Sequence, residues 1–285
     1  MRKIRYMMQA LVLILFYGLC DILPVATASR LGGWIGRTVG PRLAASRKAL
    51  ANLRRAFPDI DDKDSARHIA AMWDNLGRVI AEYPHLAEIG MRRVTLEGTD
   101  TIRTAMAQGK PVILFGAHLA NWEVMAPAVY SQIGLKPGLV YRAPNNPVSD
   151  KILDYARSLH GTLETLPKSK TGTRRLVQSL KDGHSIGILI DQKYNEGVAA
   201  DFFGHPAMTS PAFVQLARKY NALLIPFRCQ RHPDCHFTIT FEEPLSVDDT
   251  DIEIINKAHA RLESWITAEP GQWMWLHRRW GKSED

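Results

Sequence analysis

The run Phe115-Gly116-Ala117-His118-Leu119-Ala120-Asn121-Trp122-Glu123 combines residue types and spacing suited to proton transfer. A predicted strand ends there, a glycine-containing turn carries His118, and Asn121 is a good N-cap type for the helix that follows. On one continuous helix His118 and Glu123 would face different ways. With His118 in the turn before the helix, Glu123 is expected to reach back to the imidazole. A carboxylate on one ring nitrogen fixes the tautomer and leaves the other nitrogen free to take a proton. Ligands in α/β sheets also bind at strand ends of this kind. The spacing alone leaves a purely structural histidine equally open, although of ten histidines only His118 has this strand–turn–helix setting beside an acid.

Cys229, His232, Cys235 and His236 look superficially like metal ligands. The same segment reads as two strands around a Pro233-Asp234 turn, and Cys-x5-Cys is not a common zinc spacing, so no metal is expected. Three cysteines, Cys20, Cys229 and Cys235, are too few and odd for a disulfide framework and fit a reducing compartment.

The elements that must position His118 follow from periodicity. Pro41 to Phe57 reads as a basic amphipathic helix and Asp62 to Ala81 as a second helix, with Ile69, Met72, Trp73, Leu76, Val79 and Ile80 at helical spacing. From Val94 short apolar runs alternate with helical segments. The runs are Val112–Phe115, Gly138–Tyr141, Ile186–Ile190 and Leu223–Phe227. Helices are predicted near Asp100–Ala107, Trp122–Ser131, Pro147–Leu159, Thr171–Lys181 and Pro211–Tyr220, with a further strand at His236–Phe241 and a closing helix at Ile252–Thr267. Such alternation predicts an α/β domain with a mostly parallel central sheet flanked by helices.

The chain has 285 residues, 46% of them hydrophobic, a net charge of +7 and a pI near 9.4. Residues 1–58 hold ten Lys or Arg against one acid, Asp21, which places the attraction to anions in the N-terminal fifth. The charge alone admits nucleic acid as a partner. No zinc-finger pattern, RNP-type aromatic box or recognition helix supports that reading.

Arg2, Lys3 and Arg5 precede an apolar run from Ala10 to Cys20, too short by itself to cross a bilayer. A cleaved signal peptide ending at Ala26-Thr27-Ala28, a retained anchor and a buried helix all fit the segment. Basic residues continuing beyond Ala28 favour a shallow anchor held against acidic headgroups, so residues 1–27 are expected to form a membrane-associated helical extension and residues 28–285 the catalytic domain.

His118-x4-Glu123 resembles the His-x4-acid box of the glycerolipid and lysophospholipid acyltransferase superfamily, and its surroundings resemble the bacterial lipid A secondary (lauroyl and myristoyl) acyltransferases. Further matches follow in order. They are Asn52-Leu53 with Phe57-Pro58, Tyr141-Arg142-Ala143-Pro144-Asn145-Asn146-Pro147, and Asp191-Gln192 with Phe202 to Thr209. Ala222 to Pro226 follows more loosely, then Trp275-Leu276-His277-Arg278-Arg279-Trp280. Asp21, inside the apolar segment, departs from a simple spanning helix.

This resemblance implies transfer of an acyl chain from an acyl carrier protein thioester to a hydroxyl of a lipid A precursor, at the inner membrane with the site facing the cytoplasm. His118 would act as base and Glu123 as its orienting partner. Arg142 would meet substrate phosphate, with a surface ion pair as its other reading. Asn121 and Asp191 would complete the substrate-binding set, Asp191 holding the site together rather than reacting. No Gly-x-Ser-x-Gly elbow occurs, so neither a covalent intermediate nor a cofactor is expected. A lysophospholipid or glycerol phosphate acyltransferase shares the first box and is the alternative. Phe202-Phe203-Gly204 would line an acyl pocket or pack in the core, and the tail tryptophans would sit at a membrane interface or against the sheet.

Overall fold

Prolines and glycines break the first ninety residues into a run of helices. The computed structural model describes residues 2–144 and 146–281; Asn145 of the second matching run lies outside the described residues, as do the side chains of Arg2, Lys3 and Arg5. Pro24 separates α1 (Arg2–Asp21) from α2 (Val25–Val39). A 3-10 turn at Gly40–Arg42 shortens the predicted Pro41 helix to α3 (Ala45–Ala56). Asp61 caps α4 (Asp62–Glu82) by accepting the Asp64 N–H, and α5 (Leu86–Arg92) follows a turn at Tyr83–His85. A side chain on Gly32 or Gly77 would collide with the other's carbonyl, so glycine at both lets α2 lie directly on α4.

The α/β portion comprises β1 (Val94–Glu97), α6 (Asp100–Ala107), β2 (Val112–Gly116), α7 (Met125–Ile133), β3 (Gly138–Tyr141), α8 (Pro147–Arg157), β4 (Thr165–Pro167), α9 (Lys170–Lys181) and β5 (Ile186–Leu189). A separate hairpin of β6 (Val198–Phe202) and β7 (His205–Thr209) follows, then α10 (Ala212–Lys219), β8 (Leu223–His232), β9 (His236–Phe241) and α11 (Asp251–Ala268). The central sheet has seven strands in the order β1-β9-β8-β2-β5-β3-β4. Every pairing is parallel except β8 with β9. That antiparallel pair turns at Pro233–Cys235, the hairpin read from the Pro233-Asp234 signal.

β2 is central and buried on both faces. Ile113 and Phe115 join the core under α9, α10 and α11, while Val112 and Leu114 join the one under α5 and α7. Such a strand reads as continuous apolar sequence rather than alternation. Phe202, Trp273, Trp275 and Trp280 are buried in the first of these cores, so the tail tryptophans pack inward and not at an interface.

α1 packs against α8 and the Tyr83 turn, with Asn146 Nδ2 donating to the Tyr6 carbonyl at 2.9 Å and His85 Nε2 to the Cys20 carbonyl at 2.9 Å. Its outer stripe of Met7, Met8, Leu11, Val12, Leu15 and Leu19 is exposed, as is Trp34 on α2. Among the described residues no helix is long and apolar enough to cross a membrane.

Candidate active site

Two adjacent parallel strands bring the chemistry together. β2 leads into the turn bearing His118, and β5, its hydrogen-bonded neighbour, leads into Asp191. Their C-terminal ends therefore deliver an imidazole and a carboxylate to one crevice, where ligands of doubly wound sheets bind. His118 Nδ1 donates to Asp191 Oδ1 at 2.7 Å and the His118 backbone N–H to Oδ2 at 2.8 Å. Trp273 Nε1 also donates to Oδ2, at 2.8 Å. Burial alone would raise the Asp191 carboxyl. The neighbouring His118 outweighs it by charge and by ring and backbone hydrogen bonds, with His277 adding to it, and the carboxyl is held far below its usual range. An ionised Asp191 on Nδ1–H leaves His118 Nε2 as the proton acceptor.

This corrects the expected pairing of His118 with Glu123. The backbone enters a 3-10 turn at Trp122–Val124, where Asn121 Oδ1 accepts the Glu123 N–H at 3.1 Å, and the Glu123 side chain swings towards α8. There Arg157 holds it bidentately at 2.8 Å on each oxygen, and Tyr83 donates to Oε1 at 2.7 Å. Burial would raise the Glu123 carboxyl, but the Arg157 charge and these hydrogen bonds lower it, so it is ionised too. Trp122 links the two acids' territories. Its ring meets His118 edge-on at 4.9 Å, and its N–H donates to Glu123 at 3.0 Å.

Asn121 and Asp191 are both fully buried. The Asn121 amide donates to Glu82 Oε2 at 2.7 Å, so Asn121 caps and tethers the turn and does not face a substrate. Asp191 likewise has its oxygens on His118 and Trp273, and it meets the reacting centre only through the imidazole. Arg142 is exposed at the mouth and makes no ion pair among the described residues, against the surface-pair reading.

Two cavities converge on this centre. One, of about 190 Å³, is lined by His118, Trp122, Glu123, Tyr83 and Arg157. The other, of about 540 Å³, has an apolar floor of Leu166, Leu176, Phe213 and Leu216. Arg142, Lys168 and Gln192 line both.

The turn itself is strapped from the C-terminal side. Ala120 has a positive φ of 52°, its N–H donates to the Gln272 carbonyl at 2.9 Å, and Met274 N–H donates to the His118 carbonyl at 3.1 Å. Asn75 of α4 donates to the Ala120 carbonyl at 2.9 Å. His277 lies edge-on to His118 at 4.9 Å between ring centres. Burial, with His118 adjacent, pushes its pKa down to about 4, which keeps it neutral. Sequence reasoning missed Tyr83, Arg157, Gln192 and His277 as site residues. Gln192 and His277 stood inside matching motifs, whereas nothing local marks Tyr83 or Arg157.

An imidazole with a buried aspartate behind it thus lines the smaller cavity, and Arg142, Lys168 and Gln192 join that cavity to the larger one with its apolar floor. Residues 1–282 match the model of the bacterial lipid A biosynthesis acyltransferases, and the chain belongs to that family. It is 27% identical over 280 residues to a lipid A biosynthesis lauroyltransferase of Escherichia coli (strain K12), covering 90% of this chain and 86% of the relative. It is also 25% identical over 274 residues to a lipid A biosynthesis palmitoleoyltransferase of the same strain, with the same coverage. Its activity is acyl transfer in lipid A biosynthesis.

Proposed function

We propose that the protein transfers a fatty acyl chain from an acyl carrier protein thioester directly to a hydroxyl of a lipid A precursor, with His118 as general base. The observation that carries this is the Asp191–His118 pair, which fixes Nδ1–H and presents Nε2 as acceptor. His118 Nε2 takes the hydroxyl proton as the oxygen attacks the thioester carbon. The carbon–sulfur bond then breaks and the departing thiolate takes that proton back, giving ester and thiol. Asp191 stabilises the transient imidazolium. Glu123 holds Trp122 against the imidazole and adds negative charge to the cavity wall. Arg142, exposed at the rim with no ion pair among the described residues and planar in its donors, suits a substrate phosphate. The apolar floor of the larger cavity suits the acyl chain.

The exposed apolar stripe of α1, with exposed Trp34 on α2, supports a shallow seat of residues 1–27 in the inner membrane, with residues 28–285 as the catalytic domain on its cytoplasmic side. His118→Ala should cut transfer at least about 10²-fold, because a positioned base contributes roughly 10²–10⁴. Thermal unfolding in detergent, run beside the assay, should show the variant folded. A folded His118→Ala protein with near wild-type turnover would refute the base assignment.

A further inference from the structure

Attack on a thioester places negative charge on its carbonyl oxygen, and that oxygen needs a hydrogen-bond donor. The attacking oxygen lies within about 3 Å of the base's nitrogen, so the donor must stand beside His118 Nε2. Backbone amides commonly fill such a role. Here three N–H groups of the turn nearest the imidazole are committed: His118 to Asp191, Leu119 to the Ala117 carbonyl at 2.7 Å and Ala120 to the Gln272 carbonyl at 2.9 Å. Met274 N–H is spent on the His118 carbonyl, and the Trp122 indole N–H on Glu123.

Gln192 remains. Its amide nitrogen is 3.3 Å from His118 Nε2 and 3.2 Å from His277 Nε2, donating one hydrogen to each. Both contacts are long. An incoming hydroxyl that takes over His118 Nε2 releases one Gln192 N–H beside the reacting carbon, while His277 keeps the amide in place by the other. His277 is itself fixed: Asn52 Nδ2 on α3 donates to its carbonyl at 2.5 Å and to that of Trp275 at 2.8 Å.

We propose that Gln192 is a catalytic residue, its carboxamide N–H stabilising the oxyanion formed on the thioester carbonyl, and that His277 is the positioning residue that aims it. This rests on the acyl-transfer reading of the same site. In the step itself the carbonyl π electrons move to oxygen as the new carbon–oxygen bond forms. Gln192 shares its hydrogen with that oxygen without giving it up, and the electrons return as the carbon–sulfur bond breaks.

The test is steady-state kinetics of the full chain in detergent with an acyl carrier protein thioester and a lipid A precursor, wild-type and His118→Ala in parallel. Gln192→Ala should lower kcat by about 10²–10³-fold, as loss of one oxyanion donor does, with either KM changed only a few-fold. Gln192→Glu keeps the shape but has no donor when ionised, and should be at least as slow. His277→Ala should be slow as well, His277→Gln should recover part of the loss, and Gln192→Ala/His277→Ala should be no slower than Gln192→Ala alone. A Gln192→Ala or Gln192→Glu enzyme within about threefold of wild-type, beside an inactive His118→Ala, would overturn the inference and leave the base intact. Absence of transfer by the wild-type protein would overturn both.

Discussion

Two buried glutamate–arginine pairs flank the Asn121 turn, and they differ in what lies beyond them. Glu82 and Arg231 form the sealed pair, with side chains 0% and 10% exposed. Ser29 at 2.6 Å, Asn121 at 2.7 Å and the Arg231 guanidinium saturate the Glu82 oxygens, and Arg231 Nε donates to Asn75 at 2.8 Å. Glu123 and Arg157 are nearly as buried, at 8% and 12%, but they form a cavity wall, and Arg157 Nη1 has no hydrogen-bond partner among the described residues. The same ionic chemistry thus appears twice. Closed on itself it fixes α2, α4, β8 and the turn in register; set in a cavity wall it leaves one guanidinium nitrogen without a partner among the described residues.

The sharpest way to break that distinction is to remove one member of each pair. Arg231→Met should cost about 3–5 kcal/mol in denaturant unfolding, because it strands the buried Glu82 carboxylate. Glu123→Gln should cost less stability, since the cavity admits water to Arg157, yet lower transfer by roughly 10²-fold through lost electrostatic stabilisation. Similar stability losses with activity retained in both would erase the contrast.

Acid titration sharpens it further. Burial raises and the paired arginines lower both glutamates, with a net shift downward, so their contribution is present above the unfolded value of 4.5 and is lost only as pH falls below it. Any loss at milder acidity must come from the buried histidines. His259 donates Nδ1–H to the Asp201 carbonyl at 2.5 Å and accepts from Arg279 at 2.9 Å, a neutral arrangement. Burial, then the Arg279 charge, lowers its pKa to about 3, and that of His277 falls to about 4. A lowered histidine stabilises above its unfolded value of 6.5, and that contribution drains away as pH falls towards 4. Urea midpoints should therefore drop between pH 7 and pH 5, and His259→Gln should flatten that slope. An unchanged slope would remove His259 from the loss and leave it to His277.

The smallest expected effect is at the rim. Arg142→Lys should weaken use of the acceptor a few-fold more than use of the donor, because a point charge replaces a planar fork. Equal effects on the two substrates, measured as kcat/KM, would remove Arg142 from the phosphate role.

The parallel sheet and its strand ends were legible because β2, β3 and β5 are short apolar runs between amphipathic helices, and His118 was legible because a turn, a cap residue and an acid surround it. Its true partner was not. Asp191 lies 73 positions away and meets His118 only because β2 and β5 pair in parallel. Spacing within one motif favoured Glu123 instead, since local sequence cannot show which way a side chain leaves a 3-10 turn. The β6–β7 hairpin and β4 also escaped, being short and partly polar. The 10-residue β8 outran its apolar stretch because its far half is held by β9.

The strap across the His118 turn has a consequence for the order in which the protein matures. Gln272, Met274 and His277 reach the turn across more than 150 positions of intervening chain, a loop whose closure is among the slowest kinds of folding event. A nascent polypeptide that has already buried β2 and β5 holds both His118 and Asp191, yet lacks the segment that sets the Ala120 conformation and supplies the Trp273 hydrogen bond. A molecule clipped before Gln272 is therefore expected to keep the β2–β5 pairing yet lose the strap that shapes the His118 turn.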